Sequence, residues 1–364
     1  MSEIKVNSIK GVGASAAAIT VNNSDGTCTA NLTNRTNKNL IINGSCIVAQ
    51  RGTSSTTNGF GSVDRFSVEY NAVDEASTQS QVDVASGTTP YTLGFRKALR
   101  VTNGNQTSGA GNGDYIQIYQ RVEAQNMASS GWNYLSSSSF ITLSFYIKSS
   151  VAQAFSGSLR THDGTSYSYK FDTPSLSADT WTKVTKTISG NSNLTFNNDV
   201  GNGLSIYLYP FIGTTYTSAN SNTETWVTSA TDTYANDMTS TWYTTNDATL
   251  EITGVQFEVG SHSTDFEFLS YADELRRCQR YYYQQWTGSE QGFYMMQYAS
   301  NYRMMEVFHP VPMRLSPSPT FSLGSGSSTS WTSNEYQYKA YIAADYNNGS
   351  AYHTSGTVKF NAEL

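Results

Sequence analysis

The sequence predicts an all-β protein: a jelly-roll β-sandwich over residues 46–271, then a linking helix and a smaller C-terminal β domain over 272–364. An extended segment, residues 1–45, precedes them. Three observations predict this. Short apolar–polar alternations recur along most of the chain, separated by Gly, Asn and Ser and with no helical periodicity between them. Charged residues make up only 14% of the sequence, against about 25% in ordinary globular domains; Ser, Thr, Asn, Gly and 25 tyrosines stand in their place. A single convincing helical pattern appears, directly after Ser270.

Taken in order, residues 1–45 offer only fragments (IKVNSI, AITV, TCTANLT) whose apolar groups come two or three at a time. Such fragments cannot offset the entropy of ordering the chain. The segment is therefore expected to intertwine with neighbouring chains or to dock on another protein. Asn39–Gly44, NLIING, is the first robust hydrophobic stretch. Phe66, Val68 and Tyr70 then alternate, as do Leu99 with Val101 and Ile116 with Ile118. The cleanest strand places Ile141, Leu143, Phe145 and Ile147 on one face and Thr142, Ser144 and Lys148 on the other. A hairpin follows, with Leu159 on one arm, Asp163–Gly164 as a two-residue turn and Tyr167, Tyr169 and Phe171 on the other arm. Val184 and Ile188, then Leu204, Ile206 and Leu208, continue the pattern. In Leu250–Val259 the apolar phase changes between Ile252 and Val255, which predicts a β-bulge at Thr253–Gly254. Two long polar segments, Glu75–Thr92 and Thr214–Asp247, interrupt the strands.

The helix is announced by Ser270 as N-cap with Asp273 three residues on. Tyr271, Leu275, Cys278 and Tyr282 form its expected apolar stripe, and Arg276, Arg277 and Arg280 complement the C-terminal end of its dipole. Beyond it, Gly292–Tyr298, Met304–His309, the surroundings of Phe321, Tyr336–Ala343 and Thr357–Asn361 read as strands around a stretch punctuated by Pro310, Pro312, Pro317 and Pro319.

Several function classes fall away. The formal net charge is −6 with scattered basic residues, so no stripe exists to neutralise nucleic-acid phosphates. MSEIKVNSIK lacks an apolar signal core, and no run approaches the ~20 apolar residues of a membrane span, so neither a signal peptide nor membrane insertion is expected. Cys28, Cys46 and Cys278 have no CxxC spacing and read as small buried hydrophobes. The four histidines sit in or beside turns without metal-ligand spacing; no metal, no cofactor and no catalytic residue is assigned. Loop carboxylates such as Asp163, Asp172, Asp232 and Asp237 could pair across a groove, but 28 acidic residues make some such pair a matter of chance. Aromatic rings in polar loops are more informative. Trp132, Trp226, Trp242 and Tyr243 are surrounded by Thr, Ser and Asn, and are the candidate stacking platform for a glycan.

A set of local motifs carries a resemblance. KVNSI near the start, NLIINGS…VAQRGTS at 39–54, SVDRF at 62–66, DYIQIYQRVEAQN at 114–126, ITLSFYIKS at 141–149, ITGVQFEVG…DFEFLSYADELRRCQRYY at 252–282 and the closing FNAEL resemble tail-fibre-like virion proteins of tailed bacteriophages of marine and cyanobacterial hosts. The resemblance implies a jelly roll similar to carbohydrate-binding modules in a homotrimeric virion appendage. It also implies contacts with other tail or virion proteins through residues 1–45 and with host cell-surface polysaccharide. It assigns no site residues. The expected function is non-enzymatic host attachment in the virion tail. The alternatives are an adaptor or head-decorating fibre without host contact, and a polysaccharide depolymerase.

Overall fold

The computed structural model describes residues 8–9, 19–21, 28–30, 37–217, 222–287, 293–294, 296–299, 302–323, 328–346, 352–353 and 356–364. Three short strands near the start, β1 (Ser8–Ile9), β2 (Ile19–Val21) and β3 (Cys28–Ala30), form a small antiparallel sheet. The rest of residues 1–36, where intertwining is expected, lies outside the described residues.

Twelve strands then build the sandwich: β4 (Ser54–Ser55), β5 (Ser67–Asn71), β6 (Thr78–Asp83), β7 (Lys97–Thr102), β8 (Tyr115–Glu123), β9 (Phe140–Ser149), β10 (Ser156–Thr161), β11 (Tyr167–Asp172), β12 (Thr182–Ser189), β13 (Asn202–Ile212), β14 (Trp226–Thr228) and β15 (Thr249–Val259). They form two antiparallel sheets, β14-β11-β10-β13-β8-β5 and β12-β9-β15-β7-β6-β4, in a jelly-roll sandwich. Short helices α1 (Thr89–Thr92), α2 (Ala124–Ala128) and α3 (Thr241–Thr244) lie in its connections. Period-two alternation explains the core. Ile141, Leu143, Phe145 and Ile147 of β9 meet Ile116, Ile118, Leu159, Phe171, Leu204 and Leu208 of the facing sheet, all buried in one cluster. The predicted hairpin is β10–β11, with Leu159 opposite Tyr169. Its connection is five residues, not two, and within it Asp163 accepts hydrogen bonds from the Asn197 backbone N–H (2.9 Å) and side-chain amide (2.8 Å).

The bulge in β15 is present. Its register against β9 shifts between Thr253 and Gln256, and Gly254 has φ +63°. Leu250 and Ile252 before it, and Val255 and Phe257 after it, consequently all face the core. The bulge also changes β15's neighbour. β7 pairs with Thr249–Ile252 only, and beyond the bulge residues 39–44 take its place. The Leu40 N–H donates to the Phe257 carbonyl (2.9 Å), the Val255 N–H donates to the Gly44 carbonyl (2.9 Å), and the Asn39 side chain bridges Val255 and Phe257. Residues 37–45, assigned by sequence to the N-terminal segment, are thus built into the sandwich edge. A Cβ on Gly254 would lie 2.7 Å from Cζ of Phe95 in a left-handed backbone. Gly254→Ala is expected to cost about 2–3 kcal/mol in urea unfolding; a loss under ~0.5 kcal/mol would mean that the Phe95 ring relocates freely.

Helix α4 (Tyr271–Gln279) starts as predicted, with Ser270 Oγ accepting the Asp273 N–H at 3.2 Å. Its inward face differs from the predicted stripe. Tyr271 is 58% exposed, Glu274 and Cys278 are buried, and Tyr282 belongs to the next strand. The helix packs where Cys278 joins Ile42 in one apolar cluster and Glu274 accepts the Asn43 N–H at 2.6 Å, a donor that a ring would leave unpaired. Cys46 and Cys278 are buried thiols, and burial pushes the Cys46 pKa up to about 12.

The C-terminal β domain comprises β16 (Tyr282–Thr287), β17 (Phe293–Tyr294), β18 (Met296–Ala299), β19 (Tyr302–Phe308), β20 (Pro319–Leu323), β21 (Ser328–Glu335), β22 (Lys339–Tyr346), β23 (Tyr352–His353) and β24 (Gly356–Asn361). These form sheets β16-β24-β20 and β18-β19-β22-β21 and the pair β17-β23. A buried polar network ties this domain to the sandwich. Glu123, at the end of β8, accepts Nε and Nη2 of Arg280 (2.7 and 2.8 Å) and the Tyr281 hydroxyl. Arg65, 1% exposed, lies 3.4 Å from the Tyr281 ring and pairs with Glu363. Arg314 donates to the carbonyls of Val200, Ala362 and Glu363.

Candidate functional site

The four rings proposed from sequence as a glycan platform are not available to a ligand. Trp132, Trp226, Trp242 and Tyr243 are 3, 7, 0 and 1% exposed, and all four belong to the main core. Each plugs the sandwich and satisfies its polar tip internally. The indole N–H groups of Trp132, Trp226 and Trp242 donate to the carbonyls of Ser139, Ser189 and Thr249, and the Tyr243 hydroxyl donates to Asp114. Tyr243 also stacks on Phe211 with centroids 4.3 Å apart. A polar flanking sequence therefore marked loops that fold their rings inward, where ~150–250 Å² of each is removed from water.

The aromatic surface lies instead on the outer side of the first sheet. In β8, Tyr115 and Tyr119 alternate with the core residues Ile116 and Ile118; in β13, Tyr207 and Tyr209 alternate with Ile206 and Leu208. The tyrosines occupy the phase that normally carries polar side chains toward water. Tyr119 stands directly opposite Tyr207 across the β8–β13 pair, with ring centroids 5.3 Å apart, and Tyr207 lies parallel to Tyr209 at 5.9 Å. A second tier covers them. Phe60 packs edge-on to Tyr119, Tyr216 packs on Tyr115 (5.5 Å), and Tyr234 lies parallel to Tyr216. Tyr119, Tyr207 and Tyr209 are consequently floor, whereas Phe60, Tyr115, Tyr216 and Tyr234 are half-buried and reach the surface.

Polar groups thread this stack. The Arg160 guanidinium on β10 sits between Tyr207 (3.8 Å) and Tyr234 (4.0 Å), with its Nε buried and without a hydrogen-bond partner. Burial opposes its charge, but the phenol oxygens of Tyr209, Tyr207 and Tyr234 outweigh that and keep it protonated. Arg121 lies over Tyr119 at 4.7 Å. His162 meets Ser205 Oγ at 2.8 Å; burial, then the charges of Arg160 and Arg121, bring its pKa down to about 4, so it is neutral at physiological pH. Glu69 accepts from the Tyr119 hydroxyl (2.6 Å) and the Gln117 amide (3.0 Å), and Ser158 contacts the Tyr209 hydroxyl at 3.0 Å. Among the described residues no group of three or more His, Cys, Asp or Glu could hold a metal ion. The arrangement offers ring faces and edges, the Arg160 and Arg121 guanidiniums, the Glu69 carboxylate and neutral hydrogen-bonding groups. That suits recognition of a hydroxyl-rich ligand. The strand motifs YIQIYQ and SIYLYP carried the signal: tyrosine in the solvent phase of an otherwise amphipathic strand.

No protein-family model matches the chain, and no curated protein matches it. Among solved structures it is similar to the enzymatically active domain of bacteriophage CBA120 tailspike protein 4, with 10% identity, a TM-score of 0.32 and coverage of 61% of this chain. It spans only 21% of that tailspike chain. It is also similar to the N-terminal cellulose-binding domain from Cellulomonas fimi β-1,4-glucanase C (10% identity, TM-score 0.27, 60% of this chain and 99% of that one) and to a family 30 carbohydrate-binding module (10% identity, TM-score 0.28, 61% and 89%).

Proposed function

We propose that the sandwich binds saccharide on the tyrosine face of its first sheet, and that the protein is a non-catalytic, homotrimeric tail-fibre-like component of a phage virion that contacts host surface glycans. The observation that carries the binding reading is the group of half-buried rings, Phe60, Tyr115, Tyr216 and Tyr234, that reach the surface over a buried tyrosine floor, with Arg160 clamped between Tyr207 and Tyr234. Burial accounts for Tyr119, Tyr207 and Tyr209, which form a satellite cluster under the second tier, but Phe60, Tyr115, Tyr216 and Tyr234 keep ring surface in water, and packing alone gives no reason for that. A sugar supplies one, because its apolar ring face stacks on aromatic surface while its hydroxyls take hydrogen bonds. The virion assignment rests on the sequence motifs described above. Each contact would be weak, and three copies engaging together would raise avidity about 10²-fold or more.

Tyr115→Ala and Tyr234→Ala remove half-buried rings and leave the core intact. Each is expected to weaken binding of the intact protein to host cells about 10-fold, the loss of roughly 1.4 kcal/mol. Folded variants that bind like the parent would remove the tyrosine face from consideration. Reducing-sugar release from purified host polysaccharide would overturn the non-catalytic reading.

A further inference from the structure

We propose that the opposite side of the sandwich carries a second saccharide-binding site, a groove of about 480 Å³ seated over the β15 bulge on the outer face of the second sheet. That volume falls in the range of small-ligand sites. Its floor exists because of the bulge. Gly254 presents no side chain, and the Phe95 ring occupies the space where a Cβ would be. Tyr146, Phe266 and Phe268 surround Phe95 with centroids 5.8, 5.0 and 5.0 Å away. Phe268 and Leu93 are each 50% exposed, so the groove displays apolar surface to solvent.

The wall formed by residues 264–268 is held in advance. Glu258 accepts from the Thr264 N–H (2.7 Å) and hydroxyl (2.6 Å), Gln256 accepts from the Glu267 N–H (2.9 Å), and both side chains come from buried residues of β15. A strap fixed this way loses little freedom when a ligand binds.

The polar groups of the groove select the occupant. Among the described residues, the Ser144 and Tyr146 hydroxyls and the Asp265 carboxylate have no hydrogen-bond partner, although Ser144 is only 4% exposed. Lys183, whose ammonium donates to Ser263 Oγ at 3.3 Å, also lines the groove, so the lining carries one cation and one carboxylate. An aliphatic chain or apolar peptide would strip water from these groups and return nothing. A neutral sugar satisfies them with hydroxyls while its ring face lies on phenylalanine. The site therefore takes a neutral pyranose-containing oligosaccharide, and it does not depend on the tyrosine face.

The test uses the full chain on a bacterial glycan array, with Tyr115→Ala/Tyr234→Ala to disable the first face and Phe268→Ala/Leu93→Ala to disable the groove. The exposed positions of Phe268 and Leu93 let that variant fold, which circular dichroism verifies. The protein with its tyrosine face disabled should retain a neutral glycan. Phe268→Ala/Leu93→Ala should then reduce that binding about 10-fold, and Tyr146→Phe should reduce it several-fold without altering the melt. Loss of all glycan binding in the tyrosine-face variant, or retained binding indifferent to the groove substitutions, overturns the proposal. So does capture of the apolar dye anilinonaphthalene sulfonate that Phe268→Ala abolishes and no array glycan displaces. Failure of the tyrosine-face reading looks different, because the wild type and the tyrosine variant would then bind identically.

Discussion

Gly44→Ala should abolish folding, or lower stability by more than about 4 kcal/mol, the range reserved for exceptional single substitutions. A Cβ at this position would stand 2.0 Å from the Val255 carbonyl oxygen and 3.1 Å from its carbon. The obstacle is backbone, so no side chain can rotate away. The same residue accepts the Val255 N–H at 2.9 Å, the bond by which residues 39–44 replace β7 beside the bulge. Moving Gly44 outward would unpair that amide, expose Ile41 from the core and withdraw Asn39 from Val255 and Phe257. The measurement is soluble yield and thermal melting by far-ultraviolet circular dichroism. Gly113→Ala is the control, since its Cβ meets nothing within 4 Å and the variant should melt like the parent. A Gly44→Ala protein with a parental melt would mean that the segment does not dock as described.

The second large effect is expected at the junction of the two domains. Glu123→Gln should destabilise the protein by about 2–3 kcal/mol, because it breaks the charge-assisted bonds of the buried Glu123 carboxylate to the partly buried Arg280. It should also change how stability depends on pH. Burial by itself would push the Glu123 carboxyl up. Hydrogen bonds from Arg280, Tyr281 and Gln125 and the Arg280 charge outweigh burial and hold it below the ordinary carboxylate range near 4.5. A carboxyl depressed in the folded state contributes stability above its unfolded pKa, and that contribution is lost as pH falls through the folded value. Urea unfolding from pH 7 down to pH 3 should therefore show the parent and Glu123→Gln converging in acid. Equal stabilities at pH 7, or a constant gap down to pH 3, would contradict the network as described.

The two predictions draw on different levels of information. The strand pattern that buries Ile141, Leu143, Phe145 and Ile147 was legible in the sequence, because an amphipathic strand carries its own period of two. The bulge was legible for the same reason: the phase of Leu250 and Ile252 fails to match that of Val255 and Phe257, and a glycine sits at the slip. The Ser270 cap was legible because capping is satisfied within a single turn. Each of these is local, with cause and effect a few residues apart.

What the bulge is for was not local. Only the fold brings Phe95 onto Gly254 and Gly44 against Val255, contacts between residues more than a hundred positions apart, and they give the glycines their necessity. The helix stripe was misjudged at Tyr271 because the side of α4 that meets the sandwich carries Glu274 and Cys278, with Glu274 taking up the Asn43 N–H and Cys278 packing on Ile42. The aromatic platform was misplaced for a related reason. Neighbours in sequence report whether a segment is polar, but the face a ring takes depends on which surface lies opposite. Trp132, Trp226, Trp242 and Tyr243 found the core within reach and turned into it. Tyr115, Tyr119, Tyr207 and Tyr209 were held outward by the pleat of their own strands, with Ile116, Ile118, Ile206 and Leu208 already filling the inner face. The sequence by itself determined the strands, the bulge and the cap. Only the tertiary structure decided which rings remain at the surface, because burial is settled by packing between distant segments and not by the residues on either side.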